Sequence, residues 1–317
     1  MFFYLPFGFL KSQVQTIGVV YLRKILFMKK KICFIINPIS GLGSKKNIEK
    51  LIDKHLNQTK FDYELVYTKA AKHALEISKQ AVSNNFDVVV AVGGDGSINE
   101  IARGLIGSAT AMAIIPAGSG NGFARHMNIP MDPKKALDII NDSKEMLIDT
   151  IQFNKEVFVN IAGIGFDAHI SSEFAKYGKR GFSSYIKVVM RELFNYKSQD
   201  LELIINGEPL QEKAFLISFA NGSQWGNNAS IAPTADISDG LLDIAILKNI
   251  SFFNALPICV GLFLKKLHKL PYLKIIKAKE LIVKQPNTIA HIDGEPIEIG
   301  NEIIIKVNPL SLKVIIP

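Results

Sequence analysis

Cysteine is nearly absent from this 317-residue chain: Cys33 and Cys259, both set in apolar stretches, are the only two. Two such thiols cannot build a disulfide framework, so they are expected to be buried in a reducing, cytoplasmic setting. The six histidines, at 55, 73, 126, 169, 268 and 291, are scattered. None pairs at metal-ligand spacing, and none is given a role. No run of about 18 uncharged apolar residues occurs, which leaves no candidate for a spanning helix. Repeats and low-complexity linkers are missing too. So is any basic run interleaved with aromatics of the kind that reads RNA, which argues against nucleic acid as a partner.

What is present is the composition of a folded protein, 48% hydrophobic and 21% charged, long enough for two domains with separate cores. A formal net charge of +8 favours an anionic partner such as nucleotide phosphates or a membrane surface. The opening stretch Met1-Phe-Phe-Tyr-Leu-Pro-Phe-Gly-Phe-Leu is apolar but short, and it lacks the basic start of a secretory signal. The folded protein is expected to begin near Met28, with residues 1–27 an extension. An interfacial anchor is the alternative reading of that piece.

From Ile32 onward, strands and helices alternate. Strands are expected at Ile32–Ile36, Tyr63–Tyr67, Val88–Val92 and Ala111–Ile115. Helices are expected over about 45–55, from His73 to Val82 with Thr68 placed to cap it, and from near Ser97 to Leu105. This order predicts an α/β domain over 28–148, built on a doubly wound parallel sheet, with ligands at the carboxyl ends of its strands. After about residue 145 the texture turns β-rich. Apolar runs at 158–161, 201–205, 215–220, 242–247, 281–283, 303–307 and 313–316 are separated by turns such as Asn206-Gly207 and Asp293-Gly294. A mostly antiparallel second domain is therefore expected over 149–317, interrupted by helical stretches near 170–196 and 251–268.

The most informative segment is Gly93-Gly94-Asp95-Gly96-Ser97, where a buried strand should turn into a helix. Glycine lets a ligand approach the main chain, and the helix start offers unpaired N–H groups to phosphate oxygens. Asp95 is a poor neighbour for bare phosphate, so it points to a metal ion that reverses the local charge. A plain strand-to-helix turn would use the same residues.

Six blocks in order carry a family resemblance. They are Asn37-Pro38-x-Ser40-Gly41, Gly93-Gly94-Asp95-Gly96-Ser97-x-Asn99-Glu100, and Pro116-x-Gly118-Ser119-Gly120-Asn121-x-Phe123-Ala124. Then follow Gly163-x-Gly165-Phe166-Asp167-Ala168, Pro233-x-Ala235-Asp236-x-x-Asp239-Gly240-x-Leu242-Asp243, and Asp293-Gly294-Glu295-Pro296. Together they resemble the diacylglycerol kinase catalytic family, the soluble bacterial lipid kinases related to sphingosine kinases. The resemblance spans about 31–317. It implies a nucleotide domain of the 6-phosphofructokinase and NAD kinase type joined to a β-rich lipid domain. It also implies transfer of the γ-phosphate of Mg-ATP to a lipid hydroxyl such as that of diacylglycerol. The expected partner is a lipid at a membrane surface, approached peripherally, and a homodimer is compatible with the chain.

On this resemblance, the nucleotide is held by Asn37, Ser40 and Gly41, by Gly93 through Ser97 with Asn99 and Glu100, and by hydroxyls of Thr68 and Ser119. Mg²⁺ is expected on Asp236, Asp239 and the Leu241 carbonyl, with Asp95 joining the metal network from the other domain. The turn is of a type that suits a hard cation, although a solvated acidic turn looks the same in sequence. Asp293 and Glu295 stand at i and i+2, so an extended chain puts both carboxylates on one face, where each raises the other. The pair is expected to supply the base for the lipid hydroxyl, Glu295 ahead of Asp293. Gly122 departs from members that carry aspartate there and matches the sphingosine kinase version, which leaves a sphingoid acceptor open. An NAD-kinase-like enzyme with a soluble acceptor, or a non-catalytic sensor, are the other readings.

Overall fold

The computed structural model describes residues 29–41, 45–177, 182–193 and 195–317. The expected extension over 1–27 lies outside the described residues. The first half runs β1 (Lys30–Ile36), α1 (Lys45–His55), β2 (Phe61–Tyr67), α2 (His73–Ser83), β3 (Val88–Gly93), α3 (Asp95–Leu105), β4 (Ala111–Pro116), α4 (Gly122–His126) and α5 (Pro133–Asp142). β1, β2, β3 and β4 pair in parallel in the order β2-β1-β3-β4. β3 and β4 are buried along their whole length, as parallel strands covered on both faces must be. α1 packs with α5, and α2 with α3. The chain moves from β1 to β2 on one side and then to β3 on the other, so the loops after β1 and β3 diverge at a switch point.

The second half runs β5 (Glu145–Phe153), β6 (Glu156–Phe158), β7 (Ile161–Gly165), α6 (Phe166–Tyr177), α7 (Phe182–Glu192), β8 (Gln199–Ile205), β9 (Glu208–Ala214), β10 (Leu216–Ala220), β11 (Gln224–Gly226), β12 (Ala229–Ser230) and β13 (Leu242–Leu247). It continues through α8 (Phe252–Phe263), a 3₁₀ turn at Leu267–Lys269, β14 (Leu273–Ala278), β15 (Glu280–Lys284), β16 (Ile289–Ile292), β17 (Glu295–Glu298) and β18 (Glu302–Ile315). An antiparallel sheet β14-β13-β10-β7-β16-β17 faces the extension of the first sheet through β18, β15, β8 and β9. The layer between them is apolar, with Phe153 in contact with Phe158 and Phe219 at ring separations of 5.9 and 5.8 Å.

The stretches expected as separate strands at 303–307 and 313–316 form one strand, β18, with a register shift between Asn308 and Leu312 and a left-handed residue at Leu310. The kink turns the chain over. Ile303, Ile305 and Val307 fill the sandwich core, whereas Leu312, Val314 and Ile315 fill the core of the nucleotide half. Val314 pairs with Met112 of β4 and Met146 of β5. The two halves are thus stitched together by one strand. The helical region near 170–196 is likewise two helices, α6 and α7. β5 was not expected as a strand because Asp149 and Thr150 interrupt its apolar run; both are buried and bonded. Asp149 accepts N–H groups of Gly240 and Leu310, both at 2.7 Å, and so ties the β18 kink to the acidic turn before β13.

Candidate active site

Three loops meet at the carboxyl ends of β1, β3 and β4 and line a cavity of about 970 Å³. The first is fixed by Asn37: its Oδ1 accepts the Ile39 N–H at 3.0 Å and its Nδ2 donates to Ser97 Oγ at 3.2 Å. Ser40 Oγ donates to the Asn37 carbonyl, and the Gly41 N–H donates to the Ala117 carbonyl. The second loop is the Gly93–Ser97 turn. α3 begins at Asp95, two residues earlier than expected, so Gly96 and Ser97 sit in its first turn. The third, Ala117–Asn121, packs backbone on backbone against the second. A Cβ on Gly118 would stand 2.6 Å from the Gly94 Cα. Three glycine-rich turns around an open space, at a helix start, form a cradle for phosphate oxygens.

Asp95, Asp293 and Glu295 all face this cavity. Asp95 Oδ1 accepts the Phe123 N–H at 3.2 Å, so the carboxylate also caps α4. Burial raises its pKa, with backbone N–H groups of α4 working in the opposite direction. Asp293 Oδ1 accepts the Ile161 N–H at 2.9 Å and Oδ2 accepts Asn99 Nδ2 at 2.8 Å. Burial, reinforced by the Asp95 charge, pushes the Asp293 carboxyl up to about 7. Glu295 is exposed and reaches over the first turn of α3: a side chain on Gly96 would collide with its carboxylate. The loop carrying these acids is braced from below. Ser171 Oγ donates to the Gly294 carbonyl at 2.6 Å, and buried His291 lies 2.8 Å from Asp167, which also accepts from Ser218. Gly163 leaves room for that pair, since a Cβ there would be 2.5 Å from each.

Two of the expected nucleotide residues make hydrogen bonds within the protein, although Glu100 also lines the cavity. Asn99 is buried and divides its amide between Asp293 and the Val157 carbonyl. Glu100 accepts the N–H groups of Lys72 and Ala74 and so caps α2, the task expected of Thr68. Thr68 instead lines the cavity, as does Ser119. Glu100 wins the cap because Lys72 is left-handed and aims its N–H toward α3. Arg125 and Lys69 also line the cavity, and Arg125 Nε donates to the Gly120 carbonyl at 3.1 Å. Arg125 directly follows the Phe123-Ala124 block, and that adjacency is the one signal for it in the sequence.

The expected metal set fares differently. Asp236 Oδ1 accepts the N–H and hydroxyl of Ser238, and Asp239 Oδ1 accepts the Leu241 N–H. Asp239 Oδ2 lies 2.6 Å from Lys277 Nζ, which is 3.4 Å from buried Asp243. Burial alone would lower the Lys277 ammonium, but the two carboxylates outweigh it and hold it above its ordinary value. Burial raises Asp243. Among the described residues no group of three or more His, Cys, Asp or Glu could hold a metal ion. Asp239 thus has both oxygens engaged, Oδ1 by the Leu241 N–H and Oδ2 by Lys277, and Asp236 Oδ1 is engaged by Ser238, so the positive charge beside this turn is a lysine's.

Comparison with known proteins follows the same division. The model of the diacylglycerol kinase catalytic domain matches residues 31–153, and that of the YegS C-terminal NAD kinase beta sandwich-like domain matches 160–316. A diacylglycerol kinase of Bacillus subtilis is 30% identical over 225 residues, covering 69% of this chain and 74% of that protein. One from Mycobacterium tuberculosis is 28% identical over 273 residues, covering 84% and 88%. The crystal structure of a diacylglycerol kinase from Bacillus anthracis shares the fold, with TM-score 0.68 at 20% identity over 91% of this chain and 97% of that one. With its glycine cradle, its carboxylate corner and its β-sandwich in place, this chain belongs to the diacylglycerol kinase catalytic-domain family of lipid kinases.

Proposed function

We propose that the enzyme transfers the γ-phosphate of Mg-ATP to the hydroxyl of a lipid such as diacylglycerol, with Glu295 as the proton acceptor. The observation that carries this reading is the meeting of Asp95, Asp293 and Glu295 on one side of the three-glycine cradle. Phosphoryl transfer asks a protein for positioning and charge balance more than for covalent chemistry. The N–H groups of the Gly94–Ser97 turn and the cations of Arg125 and Lys69 suit a triphosphate. Its divalent ion enters as part of that substrate, and no step is assigned to the Asp236–Leu241 turn.

The acceptor hydroxyl attacks the terminal phosphorus, the bond to the nucleoside diphosphate breaks, and the hydroxyl proton passes to a Glu295 oxygen. Asp293 is pinned by two donors in the wall and cannot swing to meet an incoming hydroxyl. Glu295, which opens β17 on the far side of the Asp293-Gly294 turn, is exposed at the mouth, where an incoming hydroxyl arrives. Asp293 and Asp95 stand behind it in the same corner of the cavity. A lipid is a fitting acceptor because relatives named diacylglycerol kinase match across most of this chain.

The test is incubation with radiolabelled ATP, Mg²⁺ and a total lipid extract of the source cell, followed by separation of products. A labelled phospholipid supports the class, and its backbone distinguishes glycerolipid from sphingoid acceptors. ATP binding without labelled lipid refutes the reading and turns attention to a soluble acceptor.

A further inference from the structure

Helix α8 carries no charged residue, yet one face of it points to solvent. Leu256, Val260 and Phe263 are 72, 46 and 43% exposed, and Leu264 at its C-cap is 61% exposed. At 100° per residue these four fall within one stripe about 100° wide. On the opposite side Ile258 is buried and Leu262 packs on the core, so the helix is anchored through one face and bare on the other. A contiguous exposed apolar stripe marks an interaction surface.

The surroundings say what covers it. Between Asp243 and Glu280 there is no acidic residue, while seven lysines occur. Lys274 and Lys277 are paired with carboxylates, but Lys265, Lys266 and Lys269, which follow the stripe directly, are exposed and form no salt bridge among the described residues. An apolar stripe bordered by unpaired ammonium groups complements an anionic bilayer, whose acyl region takes the stripe and whose headgroups take the lysines. No described helix is long and apolar enough to cross a membrane, so contact through α8 is interfacial. The helix is also close to the chemistry. It packs on β12, and the β11–β12 hairpin is bridged to Asn121 and bonded to the Gly120 carbonyl in the phosphate cradle.

We infer that α8 is a membrane-docking element: Leu256, Val260, Phe263 and Leu264 insert below the headgroups of an anionic bilayer, and Lys265, Lys266 and Lys269 bind lipid phosphates. This rests on the lipid-kinase reading above, because an acceptor resident in a bilayer is what requires the enzyme to dock there.

The chain carries its own reporter. Cys259 is exposed at the edge of the stripe, whereas Cys33 is buried with its thiol pushed up to about 12. An environment-sensitive dye on Cys259 is followed while vesicles of phosphatidylcholine with phosphatidylglycerol are added, and binding is measured in parallel by flotation. A blue shift with binding is expected, weakened when phosphatidylglycerol is omitted. The variant Leu256→Ser/Phe263→Ser/Leu264→Ser should lose at least about tenfold in vesicle partitioning. Its melting temperature, and its turnover of a short-chain, water-soluble diacylglycerol, should be unchanged. Because that variant could disturb α8 itself, Lys265→Gln/Lys266→Gln is a second test and should weaken binding only to the anionic vesicles. Vesicle binding with no dye response, or unchanged in both variants, overturns the inference. So does a dimer that the triple variant dissociates without loss of vesicle binding, which would assign the face to a second copy. Binding and blue shift without phosphorylation of any lipid uphold the docking surface and overturn the kinase reading instead.

Discussion

Replacing Asp293 by Asn separates the electrostatic work of the site from its shape. Burial and Asp95 together carry the Asp293 carboxyl from 3.8 to about 7, a difference of about 4 kcal/mol between its protonated and ionised forms. The folded protein therefore holds this proton more tightly than the unfolded chain does. The stabilisation is fully present below the unfolded value and is lost as the pH rises through the folded one. About 3 kcal/mol of it disappears between pH 5 and pH 8. Asparagine does not titrate, but it can accept from only one of the two donors, Ile161 N–H and Asn99 Nδ2. That costs about 1–2 kcal/mol at every pH. The two effects nearly cancel at pH 5 and favour the variant by about 3 kcal/mol at pH 8. Thermal unfolding of both proteins across that range should show equal midpoints at the acid end and a variant several degrees more stable at the alkaline end, with lipid phosphorylation depressed throughout. A gap between the two melting temperatures that stays constant with pH would refute the burial-and-charge account of Asp293.

Glu295→Gln should lower turnover by about a hundredfold or more without changing the melting temperature, since the side chain is exposed; an unaltered rate removes it as proton acceptor. Gly96→Ala drives a Cβ into the Glu295 carboxylate, so turnover should fall, and shortening the acid by Glu295→Asp in the same chain should restore part of it. Lys277→Met strips Asp239 and buried Asp243 of their counter-charge and should cost about 3 kcal/mol. Added Mg²⁺ should raise the melting temperature of that variant and not of the parent, which differential scanning calorimetry checks directly. Leu312→Ala removes a buried side chain of β18 and should cost about 2–4 kcal/mol, together with weaker ATP binding in a filter or calorimetric assay.

The parallel half was legible because β3 and β4 and most of β1 are apolar runs and the loops after them announce themselves with glycine. The cradle at Asn37, Gly93–Ser97 and Gly118–Asn121 follows from those two signals alone. Roles that depend on tertiary direction were not legible. Nothing in the spacing of Asn99 and Glu100 says that one turns to Asp293 and the other to the start of α2. Sequence also cannot show that Lys277, far along the chain from Asp239, arrives to occupy its oxygen. β5 was hidden by the two polar residues at its centre, which are buried because the β18 kink and the Gly240 turn need their hydrogen bonds. Arg125 is marked in the sequence only by standing directly after the Phe123-Ala124 block; cations are common, and the folded loop is what brings this one to the cavity.

The return of β18 into the nucleotide half has a consequence for how the protein is made. Residues 312–315 complete a core whose other members lie mostly between 32 and 148. During synthesis the parallel strands emerge first but lack their neighbour until nearly the whole sandwich has followed. Closing that gap spans a long loop, which slows folding and leaves the β4 edge open to foreign strands meanwhile. A nascent chain stalled before residue 312 should therefore remain sensitive to protease in the segment around β4, long after its phosphate loops have left the ribosome.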